Sequence, residues 1–236
     1  MGKAIASPPG SGYHGGEGPQ DRRPAERRDI VYYTCGSCTV HGCQSGDFEK
    51  LPKNCPIRNT PLMEAAFAKY SEEENHKFYL ESSKIEATGY GRWPRVREIT
   101  EFCKAMGYQK LGVAFCGGLK EEGRIACEIF RAHGFTVVSA ICKAGGVPKE
   151  QVGLGEEDKV HPGRFEPMCN PIAQAMLLNE QQTEFNIVIG LCVGHDSLFY
   201  KYAQAPTTTL VTKDRALAHN PAGALYCAHS YFKDKV

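Results

Sequence analysis

Residues 110–141 read KLGVAFCGGLKEEGRIACEIFRAHGFTVVSAI, and this stretch decides the fold. KLGVAF is a short continuous apolar run, with the length and make-up of a buried strand. Gly117-Gly118 breaks the run. The segment that follows carries Leu119, Ala126, Ile129 and Phe130 on one helical face and ends at Gly134; FTVVSAI is then a second strand. Two strands joined by a helix pair in parallel through a right-handed crossover. The pattern continues downstream. Asn170-Pro171 reads as an N-cap followed by proline at the first helical position, opening a helix to about Glu180. NIVIGL (186–191) is a third strand, Asp196 reads as the N-cap of the helix DSLFYKYAQ, and TTTLVT (207–212) is a fourth strand. The expected class is therefore α/β: a Rossmann-like parallel sheet of about four strands flanked by helices.

Working outward, a helical stretch opens at Thr60 or Pro61 with PLMEAAFAKYSEEENHKFYLESSKIE, and a second helix covers about 94–107. In the latter, Val96, Ile99, Phe102, Cys103 and Met106 follow helical spacing, so this region supplies cover for a short sheet. Residues 151–168 are polar and irregular. Residues 1–28 are rich in Gly, Pro, Arg and Glu and nearly free of large aliphatics; they bury too little apolar surface to offset ordering entropy and are expected to be disordered. The expected organisation is thus a tail (1–28), a four-cysteine knuckle (29–59), and helical cover plus the α/β domain (60–236).

Lys+Arg number 28 and Asp+Glu 27, a net charge of +1, which gives no electrostatic case for nucleic acid or an anionic membrane. No run approaches the roughly 18 apolar residues of a membrane helix. The N-terminus lacks the apolar stretch of a signal peptide. The expected location is cytoplasmic, and the partners left open are a small-molecule substrate or a redox partner.

Eleven cysteines then need explaining. An odd count in a long chain without a signal peptide does not read as a disulfide framework. Four lie in CGSCTVHGCQSGDFEKLPKNC: Cys35, Cys38, Cys43 and Cys55, at spacings x2, x4 and x11. A Cys-x2-Cys turn brings two thiolates to one metal, and Gly36, Gly42 and Gly46 permit the positive φ values such turns need. Structural zinc sites usually pair two Cys-x2-Cys knuckles, or two Cys with two His. Three close thiols and one remote are instead the pattern of a [4Fe–4S] loop. The spacing weighs for an iron–sulfur cluster, with zinc as the alternative. His41 could substitute as a ligand, but four thiols are already available, so it reads as a loop residue.

Cys116, Cys142 and Cys192 each follow a strand, the edge at which open α/β sheets bind ligands. Cys169 precedes the Asn170 cap, where a helix dipole favours thiolate. These four read as a second metal or cluster site, or as a reactive thiol centre. Cys116 and Cys192 are the candidate nucleophiles, with His195 as ligand or acid/base. The bland alternative is that small thiols fill tight spots at strand ends. Cys103 and Cys127 read as core, and Cys227 stays undecided. CGGLKEEG lacks the endings of a P-loop and the third glycine of a dinucleotide fingerprint, so a phosphate site there has weak support. Lys213, Asp214, Arg215 and His219 follow the fourth strand, as ligand contacts or as solvated loop residues.

Two resemblances can be stated on these residues. The x2, x4, then longer spacing of residues 35–55 is similar to the cubane-binding segment of carbon monoxide dehydrogenases. The four N-terminal cysteines, GVAFCGGL, CNPIAQA, GLCVGHDSLFYKYAQAP and VTKDRALAHNPAGALY together resemble a bacterial and archaeal family of unknown function, over about residues 30–230. That second resemblance implies a metal, proposed there as zinc, at Cys35, Cys38, Cys43 and Cys55. It implies no reaction.

Overall fold

The structure is a computed structural model and describes residues 32–236; the expected disordered tail lies outside the described residues. The chain divides into two compact units, one ending at Ala68 and one running Lys69–Val236.

In the first unit, two 3-10 turns, Cys35–Ser37 and Pro56–Arg58, flank the short helix α1 (Gly42–Ser45); α2 (Thr60–Lys69) lies at its end. His41 enters α1 at φ 51 and Gly46 leaves it at φ 73, so both ends of the turn use left-handed backbone. Among the described residues of this unit only Gly42 and Leu51 are buried. Polar bonds do the tying instead. Asn54 Nδ2 donates to the Tyr32 carbonyl (3.0 Å) and Thr34 Oγ1 (2.8 Å), and Arg58 donates to the Leu51 (2.6 Å) and Pro52 (3.0 Å) carbonyls.

The second unit begins with α3 (Glu73–Gly89) and α4 (Arg95–Met106). The helical stretch expected from Thr60 onward is therefore two helices, broken at 70–72. The sheet follows: β1 (Lys110–Phe115), α5 (Lys120–Ala132), β2 (Thr136–Ile141), α6 (Pro171–Glu180), β3 (Phe185–Ile189), α7 (His195–Tyr202), β4 (Thr207–Val211) and a short α8 (Ala222–Tyr226). All four strands are parallel, in the order β2-β1-β3-β4. This is the α/β architecture expected from the sequence.

Strand alternation divides the core in two. Leu111 and Val113 of β1, with Phe185, Ile187 and Ile189 of β3, pack with α4 and α5 residues such as Phe102, Cys103, Cys127 and Phe130. Ala114 of β1, Ala140 of β2 and Val188 of β3 pack on the other face with Ala175 and Leu178 of α6 and Phe199 of α7. Cys103 and Cys127 thus belong to the core, as read from the sequence. Asn170 caps α6: its Oδ1 accepts from Ala173 N (3.0 Å), with Pro171 at the first helical position. Asp196 is not an N-cap. Gly194 turns the chain at φ 81, so the helix starts at His195, and Asp196 Oδ1 accepts from the next amide, Ser197 (2.7 Å).

Candidate functional site

The chain runs from β1 outward to β2, then crosses back and continues from β3 outward to β4. The reversal places the switch point between β1 and β3, where a crevice opens beyond the carboxyl ends. β1 and β2 are in register with Phe115 opposite Ile141, so Cys116 and Cys142, the next residues of each, are neighbours. Both belong to the α6/α7 side of the sheet. Cys169 arrives with the segment that enters α6, and Cys192 with the turn that enters α7. Backbone bonds hold these segments: Cys116 N donates to the Ile189 carbonyl (3.0 Å), Cys142 N to Phe115 (2.9 Å), and Asn170 N to Cys142 (2.7 Å).

The result is one tight void, too small to take a water, bordered by Cys116, Cys142, Cys169, Cys192, His195 and Gln174. The strand-end thiols picked out in the sequence are brought together, with His195 among them. Cys116 and Cys142 are buried, while Cys169 and Cys192 are half-buried. All four also floor a larger open cavity of about 480 Å³.

The polar surroundings of the sulfurs are specific. Gly117 N donates to Cys142 Sγ (3.3 Å) and Gly118 N to Cys116 Sγ (3.4 Å). The glycine pair that suggested a weak phosphate site thus directs its amides at two sulfurs. Lys143 Nζ donates to Cys169 Sγ (3.5 Å) and to the Pro167 carbonyl (2.6 Å). Arg215 Nη2 donates to Cys192 Sγ (3.1 Å). Asp214 and His219 build the loop instead: Asp214 Oδ1 accepts from Ala216 and Leu217 amides (both 2.9 Å), and Asp214 N donates to His219 Nδ1 (3.1 Å).

These contacts set the acidities. A hydrogen bond from the Cys142 thiol pulls Cys116 well below the ordinary thiol range, helped by the Gly118 amide and Lys213. The same Cys142 thiol, with Lys143, pulls Cys169 down. Cys142 itself is pushed up by the neighbouring Cys116 and Cys169 sulfurs and by burial. Away from the site, burial pushes Cys103 up to about 12 and raises Cys127. The arrangement is one proton-holding thiol between two acidic thiols, which suits nucleophilic or redox chemistry at sulfur.

Sequence reading missed two contributors. Lys143 follows Cys142 directly, and Gln174 is a polar residue inside the apolar run PIAQAMLL; that interruption was the available signal. Gln174 is fully buried, and its Nε2 donates to the Ala140 (2.7 Å) and Phe115 (3.2 Å) carbonyls. Its Oε1, and the buried Nδ1 of His195, have no partner among the described residues.

In the first unit, Cys35, Cys38 and Cys55 border one small hollow of about 20 Å³, while Cys43 sits on α1 and is not among its lining. Among the described residues no three His, Cys, Asp or Glu side chains already form a shell around one metal position. Cys227 follows α8 and lines neither the void nor the larger cavity.

A parallel α/β unit with a thiol-lined crevice at its switch point is the class that fold and site define. Residues 55–210 match the family described as protein of unknown function DUF1847, and the chain belongs to that family. An uncharacterized protein of Methanocaldococcus jannaschii, MJ0455, is 44% identical over 192 residues, which is 81% of this chain and 93% of that protein. The family match begins at Cys55 and so includes one of the four N-terminal cysteines.

Proposed function

We propose that the protein is a metal-binding protein, iron–sulfur in its N-terminal module, whose α/β unit carries a thiol-lined site for redox or sulfur chemistry on a small molecule. The observation that carries the second half is the convergence of Cys116, Cys142, Cys169 and Cys192 on one tight void and on the wall of a 480 Å³ cavity. Cys116 and Cys192 are the nucleophiles first in view, and His195 stands beside them as acid or base. Four thiols without carboxylates are a soft donor set, which fits iron–sulfur or zinc better than a hard cation. Cys35, Cys38, Cys43 and Cys55 would hold the metal; a [4Fe–4S] cluster there would supply one-electron transfer.

A second reading has its own support. The hollow between Cys35, Cys38 and Cys55 is about 20 Å³, on the scale of a single ion, which favours a structural zinc in a non-enzymatic regulatory or interaction protein. Iron, zinc and sulfide analysis with a visible spectrum on anaerobically purified protein separates the two. About four irons and four sulfides per chain, lost in Cys38→Ser, supports the first reading. A colourless protein with one zinc makes the second the working description.

A further inference from the structure

We infer that Cys169 and Cys142 form a nucleophile-and-resolver pair for a small disulfide with apolar substituents. The inference deepens the reading of the strand-end cysteines as a reactive site and rests on it, but places the attacking sulfur at Cys169 rather than at Cys116 or Cys192. Three observations carry it. Both sulfurs border the 480 Å³ cavity, but Cys169 is half-buried whereas Cys142 is only 3% exposed, so Cys169 is the more accessible of the two. Cys142 and Cys169 border the same narrow gap, and the Asn170 amide bonds the Cys142 carbonyl at 2.7 Å, pinning the two cysteine-bearing segments side by side. Lys143 sets an ammonium at 3.5 Å from the Cys169 sulfur, which supports a nucleophilic sulfur there.

The cavity walls select the substituents. Val152, Leu154, Val160, Met168, Ile172 and Leu198 line it, so a disulfide entering it is flanked mainly by hydrocarbon. The Cys169 sulfur attacks one sulfur of the disulfide RS–SR, forming Cys169–S–S–R and releasing one RS⁻. The Cys142 sulfur then attacks the Cys169 sulfur, forming the Cys142–Cys169 disulfide and releasing the second RS⁻. Two electrons pass from the protein dithiol to the substrate, and the two thiol protons leave with the two RSH products. The step is a single turnover.

The test treats the reduced full-length protein with dipropyl disulfide under anaerobic conditions and maps linked peptides by mass spectrometry. The expected product is the Cys142–Cys169 bridge. Cys142→Ala is expected to trap a propylthio adduct on Cys169. The rate with dipropyl disulfide is expected to exceed that with hydroxyethyl disulfide by about tenfold, from burying a methyl in place of a hydroxyl. A Cys116–Cys142 bridge, or a stable Cys169 adduct in the wild-type protein, would overturn the pairing while leaving the reactive-site reading intact. Adducts on the N-terminal cysteines alone would overturn both. The wild-type map needs no variant, so a poorly folded substitution does not decide the matter.

Discussion

Cysteine chemistry in this chain is set residue by residue by what touches each sulfur. Cys169 has Cys142 and Lys143 against it, and its thiol is held below the usual range. Lowering the pH from about 8 to about 6 slows alkylation of a free cysteine roughly 80-fold, because the thiolate fraction falls. Cys169 is expected to lose less than about threefold over that interval, and Lys143→Met to restore a steeper fall; peptide-resolved alkylation with iodoacetamide measures both. Cys103, held up at about 12 by burial, is expected to stay unlabelled at pH 8 in the folded protein. Gly190 acts through shape. It sits at φ 61, and a Cβ there would overlap Leu119 Cδ1. Gly190→Ala is expected to cost about 2–4 kcal/mol in urea denaturation, from backbone strain plus the displaced Leu119, and to disturb the turn that presents Cys192.

At the scale of elements, α6 and the glycine pair before α5 are the parts that arrange the site. Asn170 caps α6 through Ala173 N and its own amide bonds the Cys142 carbonyl. Asn170→Ala removes the side-chain cap and keeps the amide. It is expected to lower stability by about 1 kcal/mol by chemical denaturation, with the Cys169 alkylation rate changing alongside. A stability change with no change at Cys169 would show that the cap serves the helix alone. The elements also explain how the sequence was read. The four strands were legible because short runs of apolar and β-branched residues are bounded by glycine, proline or polar turns. Asp196 was misread because the sequence GHDS offers two helix starts. Only the positive φ at Gly194 decides between them. The break between α2 and α3 was hidden because Tyr70 to Glu72 carries no glycine or proline.

At the scale of the molecule, the two units rest on different physics. The second has a core on both faces of its sheet. Between residues 32 and 68 only Gly42 and Leu51 are buried, too little apolar surface to hold a fold unaided. If the N-terminal thiols bind metal as proposed, its removal should loosen this unit selectively. Chelation of the metal, or Cys38→Ser, is expected to raise limited proteolysis within residues 35–58 at least tenfold, leaving the 110–211 fragment as resistant as before. Equal resistance with and without metal would mean that the polar ties of Asn54 and Arg58 suffice.

What the sequence determined by itself was the list of parts: four strands, the helices between them, the Asn170 cap, and thiols placed after strands. Alternation even puts Cys116 and Cys142 on one side of the sheet once β1 and β2 pair in register. The strand order belonged to the tertiary structure alone. β1 and β3 are apolar on both faces, and such strands carry no pattern that names their neighbours. The order β2-β1-β3-β4 follows from which helices cover which face, and it puts the switch point between β1 and β3. That choice brings Cys169 and Cys192 to the Cys116–Cys142 pair and closes Gln174 and His195 around them.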